Sequence, residues 1–462
     1  MTTTGNAPSK PTSSTIATIA LVLGLGAVLL VAQSSHGFGP VGSLLTVGLW
    51  ISVWTLATLG AGRVVVNSAR SDDAAGIEDL LMACVIGSGV LSALAVLLSF
   101  AGWFRSAPLL GILVAAAVWG GIGLIRRPVA LPGLTKPGLG LAALWFIALV
   151  VAATVTTFYD QWHQHIGFPW LWFQEGSIHV NPRNYYSYMP VNSSLMYAYG
   201  IGTLGAWSAQ AIHWWSGVVT VLICAAMGRR VASDGGAWWA AVIVATTPNV
   251  VHLAASGGSD LVVTLFAAGA WLALLRSAEG SGSSLRWWLL AGACAGLAAG
   301  TKYTALGTVV LPLGAGAIVL HRPWRRPSLR PFVKGAGLAT VGGILTFGPW
   351  VLRNLLATGA PLYPFMTGPF RSLMNADAAR IHELSDELAG FDLSWSHIVD
   401  GIGLGSLTSP IGGFAPAGLL WLAAAGAALI ALPRLTRPTA PALAVGALVG
   451  IALWLTGLQV VR

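Results

Sequence analysis

The chain has 462 residues, of which 55% are hydrophobic and 8% charged, with a mean hydropathy of +0.75. Soluble domains carry about 25% charged residues, so an ordinary water-soluble globule is excluded and membrane spans become the sink for the apolar residues. The formal charge of +9, from 24 Lys and Arg against 15 Asp and Glu, calls for no nucleic acid, because membrane proteins concentrate Lys and Arg in their cytoplasmic loops.

Residues 1–13, MTTTGNAPSKPTS, read as a short disordered tail. The apolar run 15–33 follows a single lysine and is too long for the core of a signal peptide, so a retained span is expected. A helix needs about 20 apolar residues to cross a hydrocarbon core of about 30 Å. Further runs of that kind lie at 40–62, 77–103, 107–125, 138–157, 208–228, 236–256, 260–276, 287–301, 303–320, 335–352, 411–432 and 440–457. The expected fold is an all-α polytopic membrane protein of about 11–13 transmembrane helices with interfacial helices in one large loop. Its parts are a cytoplasmic tail (1–13), N-terminal spans (14–157), a loop (158–206), a central group of spans (207–352), a second loop (353–408) and C-terminal spans (409–462). The glycines and alanines within the spans suit close helix packing. Cys84, Cys224 and Cys294 each sit in an apolar run without CxxC spacing, which reads as buried thiols and no disulfide framework.

With the N-terminus inside and the spans alternating, 17 basic residues fall on the inner side and 7 on the outer, the bias expected of cytoplasmic loops. HRPWRRPSLR (321–330) is the strongest inner marker. The outer side then receives the segment 158–206, Asp260, Lys302 and the stretch after Arg353, so polar groups distant in sequence converge on one surface. The weight of Ala, Gly and Arg over Lys hints at a GC-rich bacterial source, and the expected location is a bacterial cell membrane with the N-terminus in the cytoplasm.

The stretch FYDQWHQHIGFPWLWFQEG (158–176) concentrates acid, histidine and tryptophan in an otherwise oily chain. Residues 161–174 read as an interfacial helix held at headgroup level by tryptophans. Residues 191–206 read as a second surface helix or a re-entrant one. Asp160 follows directly on a span; it serves either as the cap of the helix after it or as a partly desolvated base. His163 and His165 do not share a helix face, and water-bonded interfacial histidines are the plain reading. Asp160, His163 and Asp260 could together hold a hard divalent cation, although no spacing demands it. Glu175, before Gly176, looks like a helix end. Asp260 starts a span and reads as its N-cap. Lys302 lies between two apolar runs, where an ammonium is kept for a partner: Asp260, Asp160 or a lipid phosphate. Arg353 guards the end of its span. The acid-bearing segment 375–392 reads as a solvated surface helix or a lid. No Walker loop, GxSxG elbow or HExxH motif occurs.

The order of these pieces resembles bacterial membrane glycosyltransferases of the GT-C superfamily, the dolichyl-phosphate-mannose protein mannosyltransferase-like group. The matching pieces are Asp160 with Gln164-His165 and Pro169, QEGSI ending at Ile178, Tyr186-Ser187-Tyr188-Met189-Pro190, and Met196-Tyr197. Ser259-Asp260-Leu261, Gly300-Thr301-Lys302-Tyr303-Thr304, Pro349-Trp350 with Arg353-Asn354, and Tyr363-Pro364-Phe365 continue the series. Gln164 stands where relatives carry tyrosine. The resemblance covers residues 158–366 and not the first 130. It implies a multi-span GT-C-like enzyme that moves a sugar, with inversion, from a polyprenyl-phosphate donor lipid to an acceptor hydroxyl of a glycan, lipid or protein at the outer face. Asp160 stands at the position of the general base, Lys302 or Arg353 would neutralise the donor phosphate, and His163, His165, Glu175, Tyr188, Asp260 and Tyr303 are further site candidates. Relatives continue past LTGLQVVR (455–462) with more spans, so a truncated, inactive homologue is one alternative and a transporter or flippase of lipid-linked sugars another.

Overall fold

The computed structural model describes residues 40–68, 76–127, 129, 136–153, 161–181, 184–279, 284–325, 327–365, 367–375, 378 and 439–453. Every regular element among them is helical. Pro40–Ser68 (α1), Ile77–Phe100 (α2), Ser106–Arg126 (α3) and Lys136–Ala152 (α4) form the first group. A π turn, Gln161–Ile166, leads into Gly167–Glu175 (α5), followed by Asn192–Leu204 (α6). Then come Trp207–Thr246 (α7), Pro248–Ala254 (α8), Asp260–Ser277 (α9), Ser284–Ala299 (α10), Leu311–His321 (α11), Arg330–Thr358 (α12) and Thr439–Leu453 (α13).

Among the described residues, seven helices are long and apolar enough to cross a bilayer. The chain is therefore an all-α, multi-pass membrane protein. The expected runs 15–33 and 411–432 lie outside the described residues. The other expected spans coincide with helices, but not all reach full length. Helix α10 has 16 residues, about 24 Å at 1.5 Å per residue, short of an apolar core of about 30 Å. It is buried along most of its length, so protein rather than lipid surrounds it.

The expected spans 208–228 and 236–256 form a hairpin. Ala232 and Ser233 leave helical geometry, and Ser233 takes φ 56°. Gly228 and Gly236 meet across the reversal, where a Cβ on either would lie 2.3 Å from the other's carbonyl oxygen. Arg229 closes the turn on Asp234 at 3.2 Å. The second arm breaks again at Thr247, ahead of Pro248, which has no N–H to continue the ladder. The carbonyl of Ala245 accepts from Trp145 Nε1 of α4 at 3.1 Å, since backbone groups in a bilayer find their partners within the protein.

Paired glycines bring the other helices together. A Cβ at Gly87 of α2 would lie 1.8 Å from the Thr58 carbonyl oxygen of α1. One at Gly292 of α10 would lie 1.8 Å from the Ala339 oxygen of α12, and Gly342 of α12 meets Leu289 in the same way. Small residues that let backbones touch are the usual basis of helix association in lipid. Buried aromatics fill the centre, and two of them place their polar tips on acceptors: Tyr199 donates to the Leu91 carbonyl at 2.8 Å and Trp215 to Thr55 Oγ1 at 2.9 Å.

The bundle has two unlike ends. At one, Arg230 bridges Glu78 and Glu279, while Arg276 pairs with Asp79 and lies 4.1 Å from the ring of Trp287. Arg325, Arg330 and Lys334 are exposed at this end. At the other end lie α5, α6, the start of α9, the turn after α10 and the last turns of α12. Here Arg105 caps α5 by donating to the Phe173 and Gln174 carbonyls at 2.8 and 3.3 Å.

Candidate functional site

Helix α6 organises this second end. The sequence reading placed it at a surface or re-entrant; it is buried at every position except Gly202 and Thr203. The reason lies in its first turns, where Asn192, Ser193, Ser194 and Tyr197 each face a different neighbour. Ser194 and Ser193 Oγ lie 3.3 and 3.4 Å from His165 Nδ1. Tyr197 donates its hydroxyl to the Gly258 carbonyl at 2.6 Å, which fixes the loop before Asp260. Burial pushes the Tyr197 phenol well above its ordinary range, and the Asp260 charge adds to the effect.

Asp260 opens α9 and pairs with Lys302 Nζ at 2.9 Å. The two side chains are 41% and 31% exposed, so water screens the pair and its contribution is at most about 1 kcal/mol. His213 of α7 fixes the loop geometry: its Nδ1–H donates to the Ser256 carbonyl at 2.9 Å, and its Nε2 accepts from the Leu261 N–H at 3.0 Å. That acceptance satisfies one of the open donors at the start of α9 and requires a neutral ring. Asp260 therefore sits near His165, His213 and Lys302, each close enough to feel its charge.

His165 is buried, and burial pushes its imidazole down to about 3; the Asp260 carboxylate opposes this, while His213 and Lys302 add to the drop. The unfolded chain takes up this proton near pH 6.5, whereas the folded chain resists until pH is far lower. Between those values the unfolded state holds more protons, so stability falls as pH falls, by up to about 1.4 kcal/mol per pH unit. Thermal unfolding of the detergent-solubilised chain between pH 7 and pH 4 is expected to show this slope, and His165→Gln is expected to flatten it. An unchanged slope in the variant would exclude His165 as its source.

A second cluster gathers around Arg353. Its guanidinium donates to the carbonyls of Tyr188 and Met189 and to Asn354 Oδ1, and stacks 4.9 Å from the ring centroid of Trp350. Among the described residues it has no carboxylate partner, and its buried Nη1 has no acceptor. Asn354 Nδ2 donates to Tyr303 Oη at 2.8 Å and to the Tyr363 carbonyl at 3.0 Å. Tyr188 rests its ring against Tyr363 at 4.9 Å. Because Tyr303 follows Lys302 and Asn354 follows Arg353, this bond ties the two cation-bearing segments together.

The sequence candidates thus divide. His165, Asp260 and Lys302 share one cluster; Tyr188, Tyr303 and Arg353 share the second. His163 lies apart from His165, with Nε2 3.1 Å from Asn184 Nδ2 and its ring against Tyr186. Glu175 ends α5 ahead of Gly176 at φ 76° and pairs with His179 at 3.0 Å, so it is a helix-end residue outside both clusters. Asp160, and all of the acid-bearing segment 375–392 except Asn375 and Ala378, lie outside the described residues. Among the described residues no group of three or more His, Cys, Asp or Glu is placed to hold a metal ion. The sequence reading missed His213 and Asn192, and named Tyr197 and Asn354 only as pieces of the resemblance, without a part in building the site. A lone histidine in the apolar run AQAIHWWSGVV was the available signal for His213.

No curated protein and no solved structure matches the chain. Residues 197–352, from Tyr197 of α6 through Asp260 and Lys302 to the residue before Arg353, match the family model described as dolichyl-phosphate-mannose-protein mannosyltransferase, so about a third of this multi-pass membrane chain is similar to that glycosyltransferase family.

Proposed function

We propose that this chain is a membrane glycosyltransferase that takes a sugar from a polyprenyl-phosphate carrier and passes it, with inversion, to an acceptor hydroxyl. Arg353 carries the reading. It is a guanidinium at the end of a span, held by neutral acceptors and an aromatic face, with no carboxylate partner among the described residues. A buried cation is costly unless an anion meets it, and a phosphodiester at the bilayer surface supplies one through charge-assisted hydrogen bonds. Lys302 already faces Asp260 and acts as the second, exchangeable cation. The matched family segment supports sugar transfer over transport.

In this reading Asp160, one residue before the π turn that carries His163 and His165, is the general base. It takes the proton of the acceptor hydroxyl as that oxygen attacks the anomeric carbon, and the carrier phosphate leaves toward Arg353. The site end faces the outside of a bacterial cell membrane, and the arginine-rich end faces the cytoplasm. Membranes containing the chain are expected to turn over a radiolabelled polyprenyl-phosphate sugar, and Asp160→Asn is expected to abolish turnover without loss of membrane expression. Near wild-type turnover in that variant would remove Asp160 from the mechanism; movement of labelled lipid without loss of its sugar would replace transfer by transport.

A further inference from the structure

The two cations sit on different helices, and their separation depends on more than the Tyr303–Asn354 bond. Asn192, 4% exposed, places its backbone N–H and both ends of its carboxamide between them. Its backbone N–H donates to the Gly300 carbonyl at 3.0 Å, and its Nδ2 donates to the Leu297 carbonyl at 3.0 Å. Its Oδ1 accepts from Trp350 Nε1 at 3.1 Å. The first two contacts seize the end of α10, two and five residues before Lys302. The third seizes the indole whose face carries the Arg353 guanidinium. A Cβ at Gly300 would lie 2.5 Å from Asn192 Nδ2 and 2.9 Å from Trp350, so the three segments meet without spare room.

We infer that Asn192 is a positioning residue for anion binding: through Trp350 it sets the orientation of Arg353, and through Gly300 the reach of Lys302. The inference rests on the reading of Arg353 as the phosphate site. A carboxamide suits the position because it must donate to one carbonyl and accept from one indole at once, which no hydroxyl, carboxylate or amine of that size does with the same geometry. Bonds of this kind, buried on both sides, are expensive to leave half-made.

The test uses the full chain in detergent with farnesyl phosphate as the probe. Trp350→Phe keeps an aromatic ring beside Arg353 and removes the Nε1–H together with the pyrrole part of the indole; Asn192→Ala removes the other partner. Each is expected to weaken binding about 5- to 50-fold, and the double variant is expected to bind no more weakly than the weaker single, because both break one link. Thermal unfolding without probe separates this from simple loss of structure, since Trp350→Phe is the milder change and is expected to remain folded. If Arg353→Gln fails to bind while Trp350→Phe binds within twofold of wild type, the positioning role is overturned and the phosphate site stands. Losses that multiply in the double variant also overturn it. If Arg353→Gln binds like wild type, the phosphate-site reading falls, and this inference with it.

Discussion

Arg353→Gln is expected to weaken binding of farnesyl phosphate about 10- to 150-fold, the range for hydrogen bonds to a charged group. Arg353→Lys is expected to fall between the variant and wild type, because an ammonium keeps the charge but not the planar fork that reaches two carbonyls and an anion together. Thermal stability is expected to change far less than affinity. The substitution removes donors from the Tyr188 and Met189 carbonyls, which costs stability, but it also removes a desolvated charge that has no carboxylate partner among the described residues. Isothermal titration alongside thermal unfolding of the same preparations gives both numbers. Affinity within twofold of wild type would show that the guanidinium serves the loop at 188–189 and not a ligand.

The largest stability loss is expected from Gly292→Ala. Two effects oppose each other there. Alanine is favoured over glycine inside a helix by about 1 kcal/mol. Its Cβ, however, would lie 1.8 Å from the Ala339 oxygen and 2.4 Å from the Ala339 carbonyl carbon. These are backbone atoms that no rotamer change can withdraw, so α10 and α12 must separate, at a cost at or above the upper end of about 1–3 kcal/mol for an overpacked core. The clash therefore wins. Gly337, on α12 with nothing within 4 Å of its would-be Cβ, is the matched control: Gly337→Ala is expected to be neutral or slightly stabilising. Equal thermal midpoints for the two variants would show that the α10–α12 contact is looser than described. Since α10 leads into Lys302 and α12 carries Arg353, the same separation is expected to weaken anion binding.

Much of the helical framework was legible in the sequence, because hydrophobic length is a strong signal and the turn residues between runs are plain. The reversal near 229–235 was marked by Gly-Arg-Arg before it and Asp-Gly-Gly after. What length could not show was how a run ends: α10 is cut short by packing rather than by composition, and Pro248 breaks a run that looks continuous. The site was legible as a set of residues but not as an arrangement. Lys302 was matched to three candidate anions, and only the fold pairs it with Asp260. Glu175 drew attention by its charge and belongs to a helix end. Asn192 and His213 were passed over because a lone amide or imidazole beside an apolar run carries no periodic signature; their roles come from partners about a hundred and about fifty residues away.

The reversal at Ala232–Ser233 bears on how this chain enters a bilayer. The arm after it, residues 234–246, is about 20 Å long at 1.5 Å per residue, roughly two thirds of the hydrocarbon thickness. It cannot cross alone, and the segment that completes it lies beyond the break at Pro248. Its inward contacts with the first arm are made through Gly228 and Gly236, positions without side chains to hold lipid away. The two arms are therefore expected to insert as one unit, with the second arm and the loop that presents Asp260 reaching a stable depth only after residues up to about 254 have followed. A substitution at Gly236 is then expected to be felt first as a failure of biogenesis, in protein that does not reach the membrane in its final topology.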